Sequence, residues 1–284
     1  MTDQNSKYYF CKQNAQAAIE AMERGASRVE LSMDLNLTHG SFEINQDALI
    51  LDPGNRIDKP DLRAIAQKDN KVFVLEDNAL RILEYGDHYY YKLVPTDFAP
   101  TLEISGIRMH RSKDYDPFRD AELKAREAVR PGDAVLDTCG GLGYTAIWAA
   151  RIGAGAVVSV EVDEYVRKIR RENPWSRPLY EERIVLVEQD VAEYIQTVPS
   201  GACDSIIHDP PRFSRAGELY GGVFYSELYR VLKRQGRVFH YTGNPYVARR
   251  GDSFYLNAQK RLRKAGFNKV MPRPDLLGLL AVKT

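Results

Sequence analysis

The sequence predicts an α/β protein in two parts: a doubly wound domain over residues 106–284, built on a seven-stranded, mostly parallel sheet, and a smaller N-terminal α+β domain over residues 1–105. Three observations predict it. Residues 106–284 alternate short β-branched apolar runs with helical stretches, the pattern of βαβ units. One of these runs, Val135-Leu136-Asp137, opens into a glycine-rich turn and then a helix. A length of 284 residues also exceeds what one such domain needs.

In the larger domain a helix over Asp120 to Val129 stops at the Pro131-Gly132 pair. Five strands follow, at Ala134 to Asp137, Ala156 to Glu161, Arg183 to Val187, Asp204 to His208 and Arg237 to Tyr241, with helices filling the gaps. A last helix near Phe254 to Lys264 ends at Gly266, and the runs Asn268 to Met271 and Leu277 to Val282 predict a closing antiparallel hairpin. In the N-terminal domain an Ala-rich helix is expected near Gln13 to Glu23. The segments Lys71 to Glu76, Leu80 to Tyr85 and His88 to Val94, parted by turn residues, predict a meander. Of Tyr89, Tyr90 and Tyr91, alternation sends neighbours to opposite faces, so at least one is expected in the core, while an exposed one could stack on a base.

Hydrophobic residues at 44% and charged residues at 28% are the balance of a globular chain and exclude a disordered one. The apolar runs are strand-sized, and the N-terminus has neither a basic start nor an apolar segment, so no membrane span or secretion signal is expected. Cys11, Cys139 and Cys203 are scattered without paired spacing, which predicts no structural metal and a reducing, cytoplasmic location. Charge is uneven: residues 213–284 carry 14 Lys and Arg against 4 Asp and Glu. That asymmetry fits either a footprint for phosphates or solvated helix faces.

The stretch Val135-Leu136-Asp137-Thr138-Cys139-Gly140-Gly141-Leu142-Gly143-Tyr144-Thr145 carries the most information. Gly141 and Gly143 lack the β-carbons that would block a ligand from the backbone, and Asp137 is placed to hold a ligand ammonium directly or through water. The stretch resembles the first motif of class I S-adenosylmethionine-dependent methyltransferases, which have a Rossmann-like fold, with Cys139 where a glycine is usual. The resemblance covers residues 106–284. It implies that Glu161, beside Val162, accepts the ribose hydroxyls, with Asp163 as the competing acid, and that Asp190 and Val191 flank the adenine. S-adenosylmethionine is then the implied cofactor. A dinucleotide-binding dehydrogenase, the rival for such a turn, would carry a fuller Gly-x-Gly-x-x-Gly pattern.

Strand four runs into Asp209-Pro210-Pro211-Arg212-Phe213 at the carboxyl edge of the sheet, where such folds bind ligands. This segment resembles the Asp/Asn-Pro-Pro-aromatic motif of methyltransferases acting on amino groups. There the acid and a proline carbonyl accept hydrogen bonds from the target nitrogen, which gives Asp209 and Pro210 catalytic roles. Arg212 replaces the stacking aromatic, with Phe213 one residue later. Ribosomal-RNA cytosine C5 methyltransferases share part of the pattern but need a later cysteine nucleophile, and none follows Cys203. His240 and Tyr241, at the end of strand five, are further catalytic candidates, and Arg212, Arg249 and Arg250 could clamp an anionic group. Met109, His110, Arg111 and Asp116-Pro117-Phe118 precede the first domain helix, where relatives cover the cofactor's methionine end.

The same region, Asp209 with Arg215-Ala216-Gly217-Glu218-Leu219-Tyr220 and Phe224-Tyr225, also resembles spermidine-synthase-like aminopropyltransferases, although a second nearby aspartate and the longer glycine turn are missing. The expected function is therefore methyl transfer to a nitrogen of a polar acceptor, whether RNA base, protein side chain or small amine. Aminopropyl transfer in polyamine synthesis is one alternative, and a non-catalytic RNA- or protein-binding scaffold is another. The N-terminal domain is expected to select the substrate.

Overall fold

The computed structural model describes residues 7–181, 183–212, 216–243 and 251–284, with the side chains of 251–254 outside the description. The chain divides into two compact units, one of residues 1–117 with Arg171–Trp175, the other of Phe118–Arg170 with Ser176–Thr284.

The first unit contains β1 (Tyr8–Phe10), α1 (Lys12–Glu23), β2 (Arg28–Leu31), β3 (Gly40–Ile44), β4 (Ala48–Asp52), β5 (Asn55–Asp58) and α2 (Lys59–Ala66). It continues through β6 (Phe73–Glu76), β7 (Ala79–Ile82), β8 (Glu84–Gly86), β9 (Tyr90–Val94), β10 (Thr101–Ile104) and β11 (Ile107–Arg108). They form three sheets, ordered β1-β6-β7, β2-β3-β4-β5 and β11-β10-β9-β8. The expected meander over residues 71–94 is thus split between two sheets. The break falls at Leu83, whose side chain is fully buried: its amide still donates to the Val72 carbonyl at 2.8 Å, one step beyond the β6-β7 register, and β8 then pairs with β9 in another sheet. The unit also runs past the boundary expected at residue 105, because β10 and β11 continue the sheet of β9. Alternating small residues of α1 (Ala15, Ala18, Ala21) pack with Leu49, Leu62 and Ile65 in its core. Tyr91 is buried, whereas Tyr89 and Tyr90 are exposed.

The second unit is one seven-stranded sheet between helices: α3 (Pro117–Ala128, its first residue closing the first unit), β12 (Ala134–Asp137), α4 (Tyr144–Ile152), β13 (Ala156–Val160) and α5 (Glu164–Glu172). Next come α6 (Pro178–Glu181), β14 (Ile184–Val187), α7 (Val191–Thr197), β15 (Cys203–His208) and α8 (Gly222–Val231). The series closes with β16 (Leu232–Tyr241), α9 (Gly251–Lys264), β17 (Lys269–Arg273) and β18 (Gly278–Val282). The order is β14-β13-β12-β15-β16-β18-β17, parallel except that β18 runs antiparallel to both neighbours. The strands read as near-continuous apolar runs because helices cover both faces. Leu136, Ile206 and Val238 of the sheet pack with Phe224, Tyr225 and Leu228 of α8 and Leu262 of α9. α3 begins earlier than expected: Pro117 supplies a first-turn φ that suits a helix, and Phe118 packs its ring 5.3 Å from Tyr144 and 5.2 Å from Trp148. The connections after β12, β13, β15 and β16 all leave from the carboxyl edge of the sheet. The candidate residues gather there.

Candidate functional site

At the end of β12, Asp137 is fully buried, and its two carboxylate oxygens accept hydrogen bonds from Thr145 Oγ1 at 3.1 Å and Ser159 Oγ at 2.8 Å. Burial pushes its pKa up to about 7 against the pull of those hydroxyls, and the charge of Asp209 pushes the same way. Any charge Asp137 lends a ligand therefore acts from beneath the turn.

The glycines of the turn have separate reasons to be glycine. Gly143 adopts φ +84°, and a β-carbon there would stand 2.6 Å from the Leu179 side chain, so its bareness makes room for α6 and not for a ligand. Gly140, which the sequence reading did not single out, has Ser159 Oγ 2.5 Å from where its β-carbon would be, and its amide donates to the Val160 carbonyl at 2.8 Å. Gly141, at φ +50°, would meet no atom within 4 Å: here alone in the turn the backbone opens on free space.

Glu161 reaches across from the end of β13. Its carboxylate accepts from the Gly141 amide at 2.8 Å and the Asp163 amide at 2.9 Å, which fixes it beside the open turn. Asp163 is spent on α5 instead, accepting from the amides of Tyr165 and Val166. The competition between these two acids is thus explained by helix capping. Burial, first, then the charge of Glu161 push the half-buried Cys139 thiol well up, which disfavours the thiolate. Val162 is exposed. Asp190 is exposed and caps α7 through Ala192 N at 2.7 Å, while the Val191 side chain turns into the core.

Asp209 follows β15, and its Oδ2 accepts from Lys124 Nζ at 2.7 Å. Lys124, on α3, also meets Asp120 at 2.9 Å and lies 4.0 Å over the Tyr241 ring, with only 4% of its side chain exposed. Burial alone would lower the lysine pKa, but the charges of Asp209 and Asp120 raise it beyond its usual range, so it stays an ammonium. Burial raises the Asp209 carboxyl, opposed by Lys124. Pro210 is buried, and the single hydroxyl proton of Tyr220 is shared between the Pro211 carbonyl at 3.0 Å and the Pro210 carbonyl at 3.4 Å. Arg212 is exposed; Phe213, Arg215, Asn244, Pro245, Arg249 and Arg250 lie outside the described residues.

His240 is a core residue. Its Nε2 accepts from Tyr225 OH at 2.7 Å, its Nδ1 faces the His208 carbonyl at 3.3 Å, and burial lowers its pKa to about 4. The ring stacks 4.6 Å from His208, itself held by Thr138 Oγ1 at 2.8 Å and the Leu219 carbonyl at 3.0 Å. With both nitrogens engaged, His240 braces the strand ends that carry Asp209 and Tyr241 and is not open to a substrate. Tyr241 is half-buried beneath the Lys124 ammonium.

Electrostatics ties these groups into one site: the charge of Asp209 acts on Asp137, Cys139 and Tyr220, and Arg170 pulls on both Asp137 and Glu161. Arg170 is 2% exposed, and its Nε and Nη1 have no hydrogen-bond partner among the described residues. The sequence reading missed Lys124 and Arg170. A signal existed for Lys124, whose i, i+4 partner Asp120 lies on the same helical face as Ala121, Ala125 and Ala128, all buried. No helix among the described residues is long and apolar enough to cross a membrane, and no cluster of His, Cys, Asp and Glu among them could hold a metal.

The strand order defines the class: a Rossmann-like α/β fold, similar to that of solved spermidine synthases. A spermidine synthase solved in complex with the transition-state analogue AdoDATO superposes with TM-score 0.60 at 19% identity, covering 73% of this chain and 78% of that one. The spermidine synthase from Thermotoga maritima gives TM-score 0.57 at 18% identity, covering 73% and 76%. No family model matches the chain. By sequence it is 38% identical over 275 residues to the uncharacterized protein MJ1233 of Methanocaldococcus jannaschii, covering 94% of this chain and 93% of that protein. The chain belongs to the same family as that archaeal protein.

Proposed function

We propose that the chain is an S-adenosylmethionine-dependent methyltransferase acting on a nitrogen of a polar acceptor. One observation carries the reading: at the carboxyl edge Asp137, Glu161, Asp209 and Asp120 converge against two buried cations among the described residues, Lys124 and Arg170. An excess of buried carboxylate calls for a cationic ligand. The site fits a sulfonium nucleoside in three further respects. The turn is open at Gly141, Glu161 stands fixed beside it to take ribose hydroxyls, and Asp190 waits at the end of β14 for an adenine amino group.

Bound there, S-adenosylmethionine would supply an electrophilic methyl group, with a neutral thioether as the leaving group. The chain's own residues do the rest. Asp209, with Oδ2 held by Lys124, offers its other oxygen to an N–H of the acceptor and aligns the nitrogen lone pair with the methyl group. As the N–C bond forms and the C–S bond breaks, that N–H proton passes toward Asp209 or to solvent. An aromatic or amide nitrogen arrives unprotonated near pH 7 and needs only such an acceptor. An aliphatic ammonium, with a pKa of about 10, needs a base, and a carboxylate, even one that burial raises, is a weak one for that task.

Aminopropyl transfer is the second reading, favoured by the pairing of Asp120 with Asp209 across Lys124, which supplies the second aspartate that the local sequence lacks. The test is transfer of methyl-labelled S-adenosylmethionine to RNA and protein acceptors by wild type and Asp209→Asn. Label transfer lost in Asp209→Asn supports the proposal. Label transfer unaffected by the substitution sinks the role of Asp209, and aminopropyl products from the decarboxylated cofactor sink methyl transfer.

A further inference from the structure

The C-terminal quarter of the chain carries charge that this site does not use. Along α9, Lys260, Arg263 and Lys264 are exposed on one side of the helix, while Ala258 and Leu262 are buried on the other. Exposed Lys269 opens β17, the edge strand of the sheet, and pairs in register with Val282. Exposed Arg234 lies at the same end, since the next residue, Gln235, donates its amide to the Lys283 carbonyl. None of these five side chains has an ion-pair partner among the described residues.

Three other helices pair charges along their own length. Lys124 and Arg126 of α3 meet Asp120 and Glu122, Lys168 of α5 meets Glu164, and Arg230 of α8 meets Glu227. On α9 the one acid is Asp252, two turns before Lys260. Lys260 and Lys264 stand at i, i+4, where like charges repel. The dipole at the C-terminal end of a helix favours cations and accounts for Arg263 and Lys264. It does not call for Lys269 or Arg234. A row of unneutralised cations is a cost in the isolated chain that a polyanion removes.

We infer that the α9–β17 edge docks the phosphodiester backbone of a nucleic acid. A lipid surface fits less well, because an interfacial helix needs a free apolar face, and among the described side chains of α9 the apolar face packs with Phe267 and Val270 and leaves Leu256 as the one large apolar side chain outside. The inference stands apart from which group the site transfers, and it gives a nucleic-acid acceptor a place to be held.

The test is anisotropy of a labelled RNA hairpin and, separately, a labelled DNA duplex with the full chain at rising salt. Neutralising about four phosphates predicts a log–log salt slope of about −3 to −4, a loss of roughly a hundredfold between about 50 and 200 mM. The triple variant Lys260→Glu, Arg263→Glu, Lys264→Glu keeps good helix formers and should retain its circular dichroism and thermal midpoint while losing at least tenfold in affinity and about three from the slope. Reversing Lys12, a partly exposed residue paired with Asp69, should leave affinity unchanged. Tighter binding of the hairpin or of the duplex identifies which nucleic acid is preferred. No binding of either, a folded triple variant that binds as well as wild type, or binding to phosphatidylserine vesicles alone overturns the inference. S-adenosylmethionine binding, measured in parallel, keeps such a failure distinct from a failure of the proposed chemistry.

Discussion

Lys124 and Asp209 are 85 positions apart in the chain and meet at 2.7 Å, with Asp120 at 2.9 Å on the same ammonium and the Tyr241 ring beneath it. This contact ties α3, the helix that enters the second unit, to the loop that leaves β15. It also fixes Oδ2 of Asp209 in place, which in the proposed reaction would leave the other oxygen to orient a nucleophile.

Removing the lysine should therefore be costly. Lys124→Met leaves two buried carboxylates without their counter-ion, and loss of one partner of a buried pair costs about 3–5 kcal/mol. Chemical denaturation should show that loss, and Lys124→Met combined with Asp120→Asn should recover part of it. A midpoint unchanged by Lys124→Met would mean that the pair is not formed.

The turn glycines should separate stability from ligand binding. Gly143→Ala forces a β-carbon at positive φ into Leu179, so strain of about 1–2 kcal/mol adds to overpacking of about 1–3 kcal/mol. Gly141→Ala meets open space and should cost only the backbone strain, about 1–2 kcal/mol, while weakening S-adenosylmethionine binding by filling the gap the ligand would enter. Equal stability losses in the two variants, compared by thermal melts, would contradict this assignment.

Two buried groups give the stability opposite pH dependences. His240 titrates near 4 in the fold against about 6.5 unfolded, so its contribution is present above about pH 6.5 and lost as pH falls through about 4, roughly 3 kcal/mol in all. Asp137 titrates near 7 against about 3.9 unfolded. Its contribution is present below about pH 3.9 and lost as pH rises through about 7, roughly 4 kcal/mol. Urea denaturation from pH 4 to 8 should show the stability of Asp137→Asn rising relative to wild type as pH increases, and that of His240→Asn falling relative to wild type over pH 4 to 6.5. Parallel curves would place both groups in water.

Asp137 also links pH to ligand binding. Its ionisation near pH 7 adds a negative charge beneath a cationic ligand, so affinity for S-adenosylmethionine should strengthen between pH 6 and 8 with net proton release. Calorimetry in buffers of different ionisation heat measures that release, and Asp137→Asn should abolish it.

The parallel sheet was legible because each of its strands is an apolar run ending in a polar residue at the same edge, as in Asp137, Glu161 and Asp209. Those ends also located the candidate site. The meander over residues 71–94 was misread because periodicity carries no sign that the pairing passes from one sheet to another at the buried Leu83. Lys124 was missed for another reason: an i, i+4 Asp–Lys pair on a helix looks the same in sequence whether it is solvated or buried, and only the arrival of Asp209 from a distant strand distinguishes the two. Gly140 and Gly143 owe their character to Ser159 and Leu179, neighbours that the local turn does not disclose.

The central claim is best tested by calorimetric titration of the full chain with S-adenosylmethionine and, separately, with its decarboxylated form. The account predicts tighter binding of the intact cofactor, weakened in Glu161→Ala. Preference for the decarboxylated form would contradict methyl transfer, and binding of neither would contradict the assignment of this edge of the sheet as a cofactor site.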